Sequence, residues 1–209
     1  GWLELDQIWR IYQSQFNIVT GIAGSGKSTF VLNVLANMAK QHGTRSFLYV
    51  PENEAHLREK MRGIFAGSDA GFKNFCEAQF YVQSSIPTHY DEPAHTLQWV
   101  LNQAIVGIER DGIDLLLIDP WNELERAKPK DQLMTDYIGE CLMYLKQFCR
   151  VYSVAMIMIA HPTKAGVAQG ATPTLADIEG SMSWFNKCDN GLIVVRDPEK
   201  STSRVISAK

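Results

Sequence analysis

Residues 21–28 read Gly-Ile-Ala-Gly-Ser-Gly-Lys-Ser, which satisfies the spacing G-x-x-x-x-G-K-[ST] at every fixed position. Residues of these types at this spacing can wrap a phosphate chain. Gly21, Gly24 and Gly26 let the backbone turn with its N–H groups inward, and Ala23 and Ser25 supply further amides between them. Lys27 extends toward the β- and γ-phosphates, the Ser28 hydroxyl suits Mg²⁺, and Thr29 lies nearer the α-phosphate. The expected ligands are therefore Mg²⁺ and ATP, or another NTP or dNTP.

Hydrolysis of such a ligand needs more groups. The run Leu115-Leu-Leu-Ile118 ends in Asp119, a carboxylate at a strand end where it can hold the metal's hydration shell. Glu52, just past the run SFLYV, can orient or deprotonate a water. Glu123 and Glu125 are expected on a solvated face. His161 ends the apolar run VAMIMIA, where an imidazole can hydrogen-bond a γ-phosphate and report its presence.

Elements of the right kind surround these residues. FNIVT precedes the glycine-rich stretch and the helical pattern STFVLNVLANMAK follows it, the context this motif requires. Strands are expected over 16–20, 46–50, 80–83, 114–118, 154–160, 191–195 and 204–207. Helices are expected over 27–41, 55–65, 94–110 and 132–150. Several strands are continuously apolar, as strands covered on both faces are. The fold class is therefore α/β, with a largely parallel central sheet and helices on both faces. Residues 87–93 and 161–173 read as loops, the second rich in Gly and Pro.

A chain of 209 residues with 45% hydrophobic and 21% charged residues suits one globular domain. A net charge of −3 excludes a global basic field, so any nucleic-acid contact must be local. Cys76, Cys141, Cys149 and Cys188 form no C-x-x-C pair and do not cluster with the five histidines, so they are expected to be reduced core thiols. No apolar run approaches the ~20 residues of a membrane-spanning helix, and no membrane partner is expected.

Seven segments together are more specific than the phosphate loop alone: GWLELD, GIAGSGKST, YVPEN, LLLIDPWNELE, AHPTK, DIEGSMSWFNKCDNGLIVVRD and RVISAK. In this order the chain resembles the helicase domain of the hexameric replicative helicases of the DnaB superfamily, in look nearest the Twinkle-like and phage-type primase-helicases. The resemblance runs from residue 1 to residue 209. It implies a RecA-like P-loop core, with NTP hydrolysis coupled to translocation of a ring along single-stranded DNA. It implies self-association as a hexamer with active sites completed in trans, and a primase, covalently linked or separate. A bacterial or phage-infected cytoplasm would be the location, or a mitochondrion in a eukaryote.

The resemblance also assigns residues. Lys27, Ser28 and Asp119 match the Walker pair and the Walker acid, Glu52 the catalytic glutamate, and His161 the γ-phosphate sensor. Arg196 matches an arginine that lies against the nucleotide base. Lys164, just after the sensor, is the expected DNA contact. Some relatives carry arginine where Glu179 stands here, which points to Lys187 as a substitute contact. Trp184 and Phe185 are expected in the core. Lys209 matches a lysine that reaches the neighbouring subunit's site, two positions before an arginine finger. On that basis the chain is expected to be a fragment of a longer protein, slow in hydrolysis by itself.

Other readings share part of this pattern. A RecA/KaiC-type ATPase in recombination or signalling would share both Walker motifs and the strand-end glutamate, but not the HPTK and GS…DN segments. A small-molecule phosphotransferase would want an arginine-rich lid, and the stretch after His161 has no arginine before Arg196. A nucleotide-binding module without turnover remains a further alternative.

Overall fold

The computed structural model describes residues 2–51, 54–65, 67–83, 95–163, 171–179, 182–197, 199–200 and 202–209. Seven strands occupy the expected places: β1 (Phe16–Thr20), β2 (Ser46–Tyr49), β3 (Phe80–Gln83), β4 (Leu115–Ile118), β5 (Ala155–Ile159), β6 (Asn190–Asp197) and β7 (Thr202–Ser207). They form one sheet in the order β3-β2-β4-β5-β1-β6-β7. Neighbours from β3 to β6 run parallel, and β7 returns antiparallel to β6.

Continuous apolar runs are needed because side chains alternate between two covered faces. On β4, Leu116 and Ile118 join a core with Phe16, Ile18, Met156 and Met158. That face is covered by α5 (Leu97–Asp111), α6 (Met134–Val151) and α7 (Ser183–Lys187). Leu115 and Leu117 point the other way, into a core with Val19, Ala155, Ile157 and Ile159. There the cover is α2 (Lys27–His42), α3 (Glu54–Ile64) and α4 (Asp69–Gln79), while a short α1 (Leu3–Asp6) leads in to the buried Trp9. Within β1, Asn17 is buried among strands; it accepts from Trp9 Nε1 and Asn190 Nδ2 and donates to the Met156 carbonyl, which fixes β1 between β5 and β6.

Helix ends follow local chemistry. The Ser68 and Thr96 hydroxyls accept the Gly71 and Trp99 amides at the starts of α4 and α5. Gly43 and Gly112 close α2 and α5 in left-handed conformations, their N–H groups donating to Ala39 and Ile108.

Two sequence expectations need correction. Residues 69–79 form a helix that the pattern did not mark, held by Phe72, Phe75 and Cys76 against the core. Trp184 is fully buried as expected, but Phe185 is 37% exposed, because α7 turns only one aromatic inward. The expected loop at 87–93 lies outside the described residues, as does most of the one at 161–173; Pro162 itself makes an isolated antiparallel bridge with Ile178.

Candidate nucleotide site

Strand order brings the sequence motifs together. β4, β5 and β1 are adjacent and parallel, so their carboxyl ends open on the same edge. Asp119 follows β4, His161 stands two residues past β5, and Gly21 follows β1. Parallel neighbours are about 4.8 Å apart, so carboxylate, imidazole and phosphate loop form a row on the scale of one triphosphate. β6 flanks β1 on the other side and carries Arg196 to the loop's far edge.

The loop is shaped by its glycines. A Cβ at Gly21 would lie 2.3 Å from the Val194 carbonyl oxygen, so this position admits only hydrogen and packs the loop base against β6. Gly26, at φ 93, starts α2 in a conformation that L side chains rarely adopt. The Ser203 hydroxyl on β7 donates to the Ser25 carbonyl at 2.8 Å. Buried Lys27 donates from Nζ to the Gly21 and Ile22 carbonyls at 2.8 and 2.9 Å. The Ser25 hydroxyl is buried and has no hydrogen-bond partner among the described residues. A folded-in ammonium on two carbonyl dipoles and an orphaned hydroxyl are what an anion entering the loop would engage.

Asp119 is buried, and its amide donates to the Tyr49 carbonyl at 3.0 Å. It lines one small cleft with Ser28, Val50 and His56. One carboxylate and one hydroxyl suit Mg²⁺, which takes few protein oxygens and fills its octahedron with phosphate and water. Among the described residues no group of three or more His, Cys, Asp or Glu could hold a metal by itself. The residues present therefore fit a nucleotide with its Mg²⁺.

His161 is half-buried, and its amide donates to Asn122 Oδ1 at 2.9 Å. Burial, then the nearby Lys27 ammonium, lowers its pKa below the usual value, while Glu123 acts in the opposite sense. At neutral pH the ring is therefore uncharged and can present one N–H donor and one acceptor.

The remaining expected residues fall as follows. Glu52 and Lys164 lie outside the described residues; Val50, which lines the Asp119 cleft, precedes Glu52 by two positions. Thr29 is the third residue of α2, where its carbonyl accepts from Asn33 Nδ2. Arg196 is exposed and directs Nη1 at the Gly24 carbonyl, 3.4 Å away, while Asp197 is occupied with Lys200. Glu123 and Glu125 are exposed, as expected. Lys187 ends α7, half-buried, with its carbonyl accepting from Lys146 Nζ at 3.2 Å. Lys209 donates to the carbonyls of Phe185 and Cys188 at 2.8 and 2.9 Å and lies over the Phe185 ring, capping α7 of its own chain. Glu179 forms a two-pronged ion pair with Arg126. The sequence reading did not pick out Asn122, Arg126 or Ser203, whose partners are distant in the chain.

Fold and site define a P-loop nucleoside-triphosphatase domain of the RecA-like class. The chain belongs to the family described as AAA domain, whose model matches residues 9–167. It is 30% identical over 224 aligned positions, 96% of its length, to the Twinkle homolog protein, chloroplastic/mitochondrial, of Arabidopsis thaliana. The chain spans 30% of that relative's length. The solved structure of another protein's ATPase domain superposes with a TM-score of 0.76 at 20% identity, covering all of this chain and 82% of that one. A DnaB-like replicative helicase, solved in a study of its interactions with primase, gives 0.74 at 20% identity, over all of this chain and 57% of that one. These two structures share the fold. Among the described residues no helix is long and apolar enough to cross a membrane.

Proposed function

We propose that this chain is the motor domain of a replicative DNA helicase, hydrolysing nucleoside triphosphate to move along single-stranded DNA within a hexameric ring. One observation carries the reading: the phosphate loop that leads from β1 to Lys27 and Ser28 at the start of α2, His161 and Asp119 follow the adjacent ends of β1, β5 and β4, in a chain similar along nearly its whole length to a Twinkle homolog.

The roles follow from the chemistry of each group. The loop amides from Gly21 to Thr29 hold the phosphates, reinforced by the N-terminus of α2. Lys27 leaves the Gly21 and Ile22 carbonyls for the β- and γ-phosphates. Ser28 and Asp119 would hold Mg²⁺, which would supply positive charge to neutralise that developing on the phosphate oxygens. Glu52 takes a proton from the attacking water. His161, uncharged, donates its N–H to a γ-phosphate oxygen and loses that bond on product release. Its neighbours Pro162 and Thr163, tied to Ile178 and Asp177, pass the change toward the Lys164 stretch. Lys164 and Lys187 are assigned to DNA phosphates, which makes binding sequence-independent and salt-sensitive. Arg196 lies against the base. Lys209 is assigned to the neighbouring subunit's site, and must release the α7 carbonyls to reach it. A primase, linked or separate, is the assigned partner. The compartment is one where DNA is replicated, with a mitochondrion favoured over a bacterial cytoplasm by the name of the plant relative.

Glu52→Gln tests the reading at the site. A general base contributes about 10²–10⁴-fold, so turnover should fall by at least ~100-fold while nucleotide affinity is kept. Unchanged turnover would remove Glu52 from its role. Turnover indifferent to single-stranded DNA would favour a recombination or signalling ATPase instead.

A further inference from the structure

We propose that Asn122 is a positioning residue for hydrolysis, acting through His161. The inference rests on the sensor role just assigned to His161.

The backbone at residue 161 needs outside support. Ala160 makes the last ladder bond of β5, its amide donating to the Val19 carbonyl at 3.1 Å, and its own carbonyl accepts from the Thr20 hydroxyl. Successive β5 amides face opposite neighbours: those of Met156 and Ala160 donate to the β1-side carbonyls of Gln15 and Val19, that of Ala155 to the β4-side carbonyl of Asp114. The His161 amide therefore faces β4, which ends at Ile118 and leaves it no strand partner. Asn122 Oδ1 accepts it at 2.9 Å. An Asn in a turn usually bonds its own backbone nearby. This one instead reaches across to the end of the adjacent strand.

Asn122 itself is firmly held. It lies in the 3₁₀ turn Trp121–Glu123, just after Asp119, the carboxylate assigned above to the metal. Trp121 and Leu124 on either side are buried, and Trp121 meets the fully buried Trp184 edge-on at 5.5 Å. The turn closes with Leu124 N donating to the Trp121 carbonyl at 3.1 Å. On the other side, the Thr163 amide donates to the Asp177 carbonyl at 2.8 Å. The backbone carrying His161 is thus pinned between the β4 turn and residues 177–178. Asn122 supplies the pin on the side of Asp119, so metal carboxylate and imidazole keep one spacing. Misplacing a group by about 1 Å can cost ~10²-fold in rate, which gives such a pin its value.

The test is a double-variant cycle on the full-length protein, measuring kcat and KM for ATP with Asn122→Ala, His161→Ala and both. Thermal melting and binding of a fluorescent nucleotide analogue report folding. Asn122→Ala should lower kcat by about 10–100-fold with KM nearly unchanged. The double variant should be no slower than His161→Ala alone. Asn122→Asp, which keeps the accepting oxygen, should recover most of the rate and keep the His161 amide protected from hydrogen exchange. Should Asn122→Ala not fold, Asn122→Ser, whose hydroxyl is too short to reach, runs the same cycle. Additive losses, or wild-type kcat in a folded variant lacking the bond, would overturn the inference while leaving the sensor role standing. Unchanged turnover in His161→Ala would remove the sensor role and the inference with it.

Discussion

Replacing Gly21 by alanine should detach the phosphate loop from the sheet. The new Cβ would lie 2.3 Å from the Val194 carbonyl oxygen and 2.8 Å from the Ser25 hydroxyl. Carbon and carbonyl oxygen ordinarily approach to about 3.3 Å, so the overlap with Val194 is about 1 Å. Val194 has no room to yield. It is fully buried, and its strand is bonded to β1 on one side and β7 on the other. Overpacking of this kind costs about 1–3 kcal/mol, and the backbone at φ +150 adds strain of about the same size. The sum, ~2–6 kcal/mol, is a large part of a typical domain stability of roughly 5–15 kcal/mol. Gly24→Ala is the control. Its φ is +73, but a Cβ there meets nothing within 4 Å, so only the left-handed cost of ~1–2 kcal/mol applies. Urea unfolding midpoints and affinity for a fluorescent nucleotide analogue would be measured for both. Gly21→Ala should be the less stable of the two by more than ~1 kcal/mol and should bind nucleotide more weakly. Equal stability in the two variants would refute the docking of the loop base on β6.

Because the His161 pKa is lowered in the folded state, stability should be complete above pH 6.5 and fall as pH drops from there through the lowered value. His161→Gln should flatten that slope in pH-dependent melting, and Lys27→Ala should raise the imidazole's NMR titration point without restoring it, since burial is the larger cause. Arg126→Ala should cost about 1–2 kcal/mol, between exposed and buried pairs, because both side chains are only partly exposed. A cycle with Glu179→Gln would show that the loss is shared rather than summed. Burial, with a smaller contribution from Asp189, pushes the Cys149 thiol up to about 12, so an aromatic disulfide reagent at pH 8 should leave it unmodified until the protein unfolds.

The strands were legible because burial on both faces demands unbroken apolar runs, and DLLLI or VAMIMIA can hardly serve otherwise. The helix 69–79 was not, because Gly71, Lys73, Asn74 and Glu77 interrupt a stripe that consists only of Phe72, Phe75 and Cys76. The phosphate loop was legible because its chemistry is local to eight residues, and Asp119 because it ends an apolar strand. Asn122 and His161 are 39 residues apart, and Arg126 and Glu179 are 53 apart. Those pairs exist only once β4 and β5 lie side by side, a fact of topology rather than spacing. Phe185 was misjudged for a related reason, since a five-residue helix has one buried face and Trp184 fills it. Lys209 was marked by resemblance for a neighbouring subunit, yet within its own chain it caps α7.

The central claim is that hydrolysis here serves movement along DNA. Steady-state ATP hydrolysis by the full-length protein, with and without single-stranded DNA over a range of salt, tests it most directly. The account predicts stimulation by single strands that is independent of their sequence, fades as salt rises, and disappears in Glu52→Gln. A folded, nucleotide-binding protein whose turnover is the same with and without single-stranded DNA at low salt would contradict it.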